Sequence, residues 1–286
     1  MKKIVALLCI GIFIGSGCSV RTLNNNDTEY WGVVIVALNE SQHPYLYDAL
    51  LQSLNWDADH LKLLWKENAT REAIFSSLVW LSNKADEGDI VLFSVDIHGT
   101  YSDGNYGIWP WDGYENGMIT VDELDTQIDN IKAKGMCLFF DCCLAGNFVN
   151  INDKVLTNSV LIKDRFQKSV SQGLSGDNRV IIMGTMPNGL GVHWLDYDFQ
   201  TGEIKLEVSP SSILSKALST KYDENQDGST SAEECFRYLK KNYFKYALMG
   251  FLNIPIQIIN YLQFGFILKP FPTLYDSYDG ELPLAQ

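Results

Sequence analysis

The stretch at residues 135–146, Gly-Met-Cys-Leu-Phe-Phe-Asp-Cys-Cys-Leu-Ala-Gly, constrains the chain more than any other. An apolar run of strand length with no polar alternation has to be covered on both faces. That is the situation of a strand inside a mainly parallel sheet between layers of helix. The run stops abruptly at Asp141, Cys142 and Cys143 and passes into small residues suited to a turn. In an open α/β sheet, ligands and reacting groups gather beyond the carboxyl ends of the strands. A thiol delivered there is a candidate nucleophile, and we assign that role to Cys143.

The flanking sequence repeats the alternation such a sheet needs. Residues 31–38 and 89–95 are solid apolar runs, 61–65 is a shorter strand and 178–184 a fifth. Between them, 45–54 places Leu46, Leu50, Leu51 and Leu54 at helical spacing. Thr70 opens a helix reaching about Ala85, with Ile74, Leu78 and Leu81 on one side and Glu72 in the first turn. Residues 120–131 and 210–218 are further helices, and 100–117, rich in Gly, Tyr, Trp and Asp, reads as a loop. The expected fold class is α/β, a three-layer αβα arrangement around a mainly parallel central sheet.

The strand at 89–95 runs out into Asp96-Ile97-His98-Gly99-Thr100. It is consecutive with the strand that ends at Asp141, and consecutive parallel strands tend to be neighbours joined by a right-handed crossover. His98 and Cys143 are therefore expected side by side on one edge. A thiolate, not a thiol, attacks a carbonyl, and an adjacent imidazole takes its proton. Gly99 lets backbone approach closely. The amides of Gly99 and Cys143 are candidate oxyanion donors, each worth about 3 kcal/mol to a transition state. His43, His60 and His193 lack this strand-end context and are expected at the surface or in turns. Cys137 and Cys235 are expected as small packed hydrophobes.

Charge and the amino terminus narrow partners and location. The net charge is −13, and without Lys2 and Lys3 the remaining 20 basic residues against 35 acidic leave −15. This argues against nucleic acid and suits cationic substrates or divalent cations. Residues 1–18 have a basic start, an apolar run, small residues and a cysteine, the order of a secretory signal. Its ending resembles a lipoprotein signal, which implies a lipid-modified Cys18 as the mature terminus and a tether over 19–29. The expected location is extracytoplasmic, at a membrane through that anchor. With Cys9 and Cys18 in the leader, the other four cysteines form neither a spaced disulfide framework nor a zinc pattern.

Residues 223–234 match the twelve-residue calcium loop. Asp223, Asn225, Asp227, the Ser229 carbonyl, Ser231 and Glu234 stand at the oxygen-ligand positions, and Gly228 stands at the sharp turn. Thr230 occupies a place where a β-branched aliphatic is usual. Calcium, structural or regulatory, is the one expected cofactor, and the chemistry itself needs none. A degenerate match at 112–123 reads better as a turn at Asn116-Gly117 leading into a helix.

Two segments resemble the motifs of a known family. VLFSVDIHGT (91–100) is similar to the histidine motif of caspase-like cysteine peptidases, the group of caspases, metacaspases and legumains. FFDCCLAG (139–146) is similar to their cysteine motif, in the metacaspase form that sets an Asp two residues before the nucleophile. ENATREAI (67–74), PWD (110–112), ITVDEL (119–124) and YDGELPL (278–284) extend the likeness over most of the mature chain. The resemblance implies that Cys143 is the nucleophile, His98 its partner and Cys142 an unreactive neighbour. It implies that Asp141 lies in the specificity pocket and selects Arg or Lys, with Asp96 a second candidate there. Similar calcium loops occur late in bacterial and archaeal caspase-like domains. The chain departs from the pattern at Asp96-Ile97, where Ser-Gly is usual, and at Leu144-Ala145, where His or Glu and then Ser are usual.

The expected function is a monomeric cysteine endopeptidase that cuts peptide or protein substrates after Arg or Lys through a thioacyl intermediate. Its alternatives are a legumain-like asparaginyl peptidase or transpeptidase, and a catalytically dead calcium-binding lipoprotein of the same fold. The peptidase domain is expected over 30–270, with self-processing sites at Lys154, Lys163, Arg165 or Lys168. Residues 246–268 are apolar but interrupted by Asn253, Pro255, Gln257, Asn260 and Gln263. They are expected as a buried helix and a last strand near 261–268, not a membrane span. The tail at 271–286 is expected to lie irregularly over the sheet.

Overall fold

The computed structural model describes residues 28–38, 42–149, 173–191, 194–198, 203–251 and 271–286, with backbone alone over 194–208 and 244–251. The leader with Cys18, most of the tether, His193, the four processing candidates and the strand expected near 261–268 lie outside the described residues.

Along the chain come β1 (Tyr30–Val36), α1 (Tyr45–Leu51), β2 (Leu61–Trp65), α2 (Arg71–Lys84), β3 (Ile90–Asp96), β4 (His98–Ser102) and β5 (Asn105–Trp109). They are followed by α3 (Gly113–Asn116), β6 (Ile119–Thr120), α4 (Val121–Ile128), β7 (Gly135–Asp141), β8 (Arg179–Met183), β9 (Trp194–Asp198) and β10 (Glu203–Val208). The last elements are α5 (Pro210–Ser219), β11 (Thr230–Ser231), α6 (Ala232–Phe251), β12 (Thr273–Asp276) and β13 (Pro283–Ala285). The central sheet runs β12-β8-β7-β3-β1-β2 and is parallel except for β12, which is antiparallel to β8.

Side chains alternate across this sheet. Val33, Phe93, Leu138 and Phe140 pack with Ile74 and Leu78 of α2 and with Leu124 of α4. Val34, Leu92, Cys137 and Phe139 pack on the other side with Leu50 of α1, Leu214 of α5 and Leu239 of α6. The result is the expected three-layer α/β architecture with a mainly parallel sheet. Helix starts follow their local chemistry. Thr70 Oγ1 accepts the Ala73 N–H to cap α2, Thr120 and Glu123 form a reciprocal capping box on α4, and Ser209 caps α5 ahead of Pro210.

Four expectations change. Residues 100–109 are not loop but the β4–β5 hairpin, turning at Asp103 and Gly104, both at positive φ (53° and 86°). This is the two-residue turn that Asp-Gly favours. Helix α1 ends at Leu51, which leaves Leu54 86% exposed instead of on the buried face. The tail is not irregular: β12 forms one edge of the central sheet and β13 pairs with β11. The domain therefore extends past residue 270 to include that tail. Asp112 and Glu123 serve the fold by binding Arg71: Asp112 accepts its backbone N–H and Glu123 its guanidinium. No helix among the described residues is long and apolar enough to cross a membrane.

Candidate active site

Strands β3 and β7 lie in register from Ile90–Gly135 to Asp96–Asp141. Residues two beyond that last pair, His98 and Cys143, therefore leave the sheet at the same level. After buried Ile97 the chain enters β4, whose first residue, His98, is exposed. Cys143 is partly buried. The two segments touch through backbone. A Cβ on Gly99 would stand 1.8 Å from the Cys143 carbonyl oxygen and 3.1 Å from its nitrogen. Only a residue without a side chain permits that approach. It brings together the two residues expected to supply oxyanion donors.

The adjacent thiols differ sharply. Cys142 is 3% exposed and points into the core beneath α2 and α4. Burial above all, then electrostatic interaction with Cys143, Asp141 and Asp96, pushes its thiol well above the ordinary range. It stays protonated and inert. Cys143 lies at the edge, where Gly191 donates its N–H to Sγ at 3.3 Å. Leu144 then takes the left-handed conformation (φ 63°, ψ 7°). Its side chain and that of Ala145 are buried in the same core as Cys142.

Asp141 is 2% exposed, and its Oδ2 accepts the Ser211 N–H at 2.8 Å in the first turn of α5. A carboxylate is stabilised at that position by the unpaired amides and dipole of the helix. Its register partner Asp96 is 3% exposed. The strand end thus holds two buried carboxylates side by side on the α5 side of the sheet. Asp141, expected to meet a basic substrate side chain, is at the same time a fold-supporting acceptor. Of the other candidates, His60 stacks on Trp31 with ring centroids 3.6 Å apart, and His43 binds Asp48 at 2.6 Å. Cys137 and Cys235 are buried in the core.

The 223–234 segment folds as a tight loop between α5 and α6. Gly228 has φ 89°. Asp223 accepts the Asp227 and Gly228 amides, and Glu234, fully buried, accepts those of Glu224, Asn225 and Ser231. Glu281 joins the loop from the tail, accepting from Asn225 Nδ2 and Ser231 Oγ, each at 2.9 Å. Arg237 supplies positive charge against Glu224 and Glu281 at 2.8 Å and Glu234 at 3.7 Å. The donors are all oxygen, the chemistry a hard cation needs. Their carboxylates are turned onto loop amides, and among the described residues no three acidic, His or Cys side chains converge on a metal position.

Sequence reasoning did not single out Gly191, Asn188, Asn147, Tyr106 or Glu281. The Asn188-Gly189 dipeptide is a turn signal, but nothing local says that this turn passes over Cys143.

No family profile matches the chain, and no curated protein matches it in sequence. Solved structures do match. A Geobacter sulfurreducens protein from a structural-genomics study is 13% identical, with a TM-score of 0.49, over 74% of this chain and 88% of its own. Caspase-1 of Spodoptera frugiperda is 12% identical, with a TM-score of 0.44, over 91% of this chain and 90% of its own.

Proposed function

We propose that this chain is a caspase-like cysteine endopeptidase that cuts after Arg or Lys. The observation that carries the reading is the in-register exit of His98 and Cys143 from adjacent strands, with Gly99 packed on the Cys143 backbone. His98 takes the Cys143 proton as Sγ attacks the scissile carbonyl, and the carbonyl electron pair moves onto oxygen beside the Gly99 and Cys143 amides. Collapse expels the amine, which takes the proton from the imidazolium and leaves a thioester. Water, losing a proton to His98, attacks that thioester, and the thiol leaves with the proton restored.

Asp141 and Asp96 supply the preference for a basic side chain. Their carboxylate charge at the strand end is complementary to a guanidinium or ammonium entering beside them, which a carboxylate binds through charge-assisted hydrogen bonds. A peptide library with Arg, Lys, Asn and Asp before the scissile bond should show cleavage after Arg and Lys only. Asp141→Asn, which still accepts the Ser211 N–H, should lower kcat/KM for the Arg peptide by roughly 10- to 100-fold. Cleavage after Asn would replace this reading with an asparaginyl peptidase, and no cleavage after Arg or Lys would remove the assignment of Asp141.

Calcium is proposed as a stabiliser of the α5–α6 loop, held by Asp223, Asn225, Asp227, the Ser229 carbonyl, Ser231 and Glu234, with Glu281 beside them. Binding would turn the carboxylates inward from the loop amides. Calcium at about 100 times its dissociation constant adds about 2.7 kcal/mol to stability. Melting in calcium against chelator should show a raised Tm that Glu234→Gln removes; identical curves would end the proposal. Attachment to a membrane through Cys18 is likewise proposed from the leader alone.

A further inference from the structure

The segment 185–191 follows β8 and passes over Cys143, and side chains from two other parts of the site fasten it there. The Asn188 N–H donates to Asn147 Oδ1 at 2.7 Å, and Asn147 Nδ2 donates back to Asn188 Oδ1 at 3.2 Å. The Tyr106 hydroxyl donates to the same Asn188 Oδ1 at 3.1 Å. Asn147 belongs to the turn that follows Cys143. Tyr106 belongs to β5, the strand paired with the one His98 begins. Burial raises the Tyr106 pKa above that of an ordinary phenol, so the hydroxyl remains a donor at neutral pH.

The backbone completes the fastening. Asn188 turns through the left-handed region at φ 55°, and the Gly189 carbonyl accepts the Leu144 N–H at 2.7 Å. Gly146 lies so close beneath that a Cβ there would stand 2.3 Å from the Met186 carbonyl carbon. Two residues beyond this fixed point, the Gly191 N–H meets Cys143 Sγ at 3.3 Å.

We propose that Asn188, clasped by Asn147 and Tyr106, is a positioning residue that aims the Gly191 amide at Cys143 Sγ and so favours the thiolate. A donor to sulfur binds the anion more strongly than the neutral thiol, which lowers the pKa of the group it faces. The inference rests on reading Cys143 as the nucleophile, but its test needs no peptide turnover.

The test is alkylation of Cys143 in the full chain by iodoacetamide, followed by mass spectrometry from about pH 5 to 10. Asn188→Gly keeps the left-handed turn and deletes the side-chain clasp. It should raise the midpoint of the rate profile by about one unit and slow alkylation at neutral pH roughly tenfold. Tyr106→Phe removes one bond and should move the midpoint the same way by less. Asn178→Gly, at another left-handed asparagine (φ 58°) at the opposite end of β8, should leave it unchanged. A wild-type midpoint in both Asn188→Gly and Tyr106→Phe overturns the proposal; if Asn188→Gly does not fold, Tyr106→Phe decides alone. Shifted midpoints in a protein that cleaves no peptide would leave the clasp standing and sink only the peptidase reading.

Discussion

Cys143→Ala is expected to lower kcat/KM for an Arg peptide by on the order of 10⁴-fold or more, the scale of removing a nucleophile from an enzyme that uses one. Cys142→Ala is expected to leave the rate nearly unchanged and to cost about 1 kcal/mol of stability through lost packing. The contrast follows from burial just past the strand end. Successive residues point to opposite faces, so Asp141 and Cys142 part company at the end of β7. Cys142 goes into the core at 3% exposure, where ionisation is strongly opposed. Cys143 comes out beside the Gly99 backbone, with the Gly191 amide on its sulfur. A peptidyl acyloxymethyl ketone should therefore label the wild type and Cys142→Ala but not Cys143→Ala. Label on Cys142 would shift the cysteine motif by one residue, and no label on either would leave the non-enzymatic reading.

Much of this was legible in the sequence because buried parallel strands announce themselves. The apolar runs of β1, β3, β7 and β8 have no polar alternation, and each occurs where expected. Thr70 caps its helix where the side-chain chemistry says it should. The placement of His98 and Cys143 came from strand order alone. The elements that were missed are short ones whose pairing partners are distant. β12 has four residues and β13 three, too few to show a period, and β13 pairs with Thr230–Ser231, more than fifty residues earlier. The clasp at Asn188 was invisible for the same reason, since it joins residues 106, 147 and 188 through side chains. The departure at Leu144-Ala145 has a physical account. Both side chains are buried in the core under the cysteine turn, so apolar residues there serve packing and do not line the site.

The second large effect is expected from Gly99→Ala, which adds one methyl group and touches neither titratable side chain. That methyl would lie 1.8 Å from the Cys143 carbonyl oxygen and 2.8 Å from its carbonyl carbon, distances at which backbone must move. Overpacking of a fitted interior costs about 1–3 kcal/mol and occasionally more. Here the displaced atoms are those that hold the proposed nucleophile, and the two amides proposed as oxyanion donors separate as β4 is pushed from the cysteine turn. Loss of one well-aimed donor alone lowers kcat by roughly 10²- to 10³-fold. Gly99→Ala should therefore lose activity by at least that factor and melt several degrees lower. Gly88→Ala is the control: there the nearest atom to the added methyl is a carboxylate oxygen of Asp86 at 3.2 Å, the end of a side chain that can yield. It should change neither measurement appreciably. A Gly99→Ala protein with wild-type Tm and activity would mean that the histidine strand and the cysteine turn do not meet through backbone. The proposed site would then lose the contact that brings its two halves together.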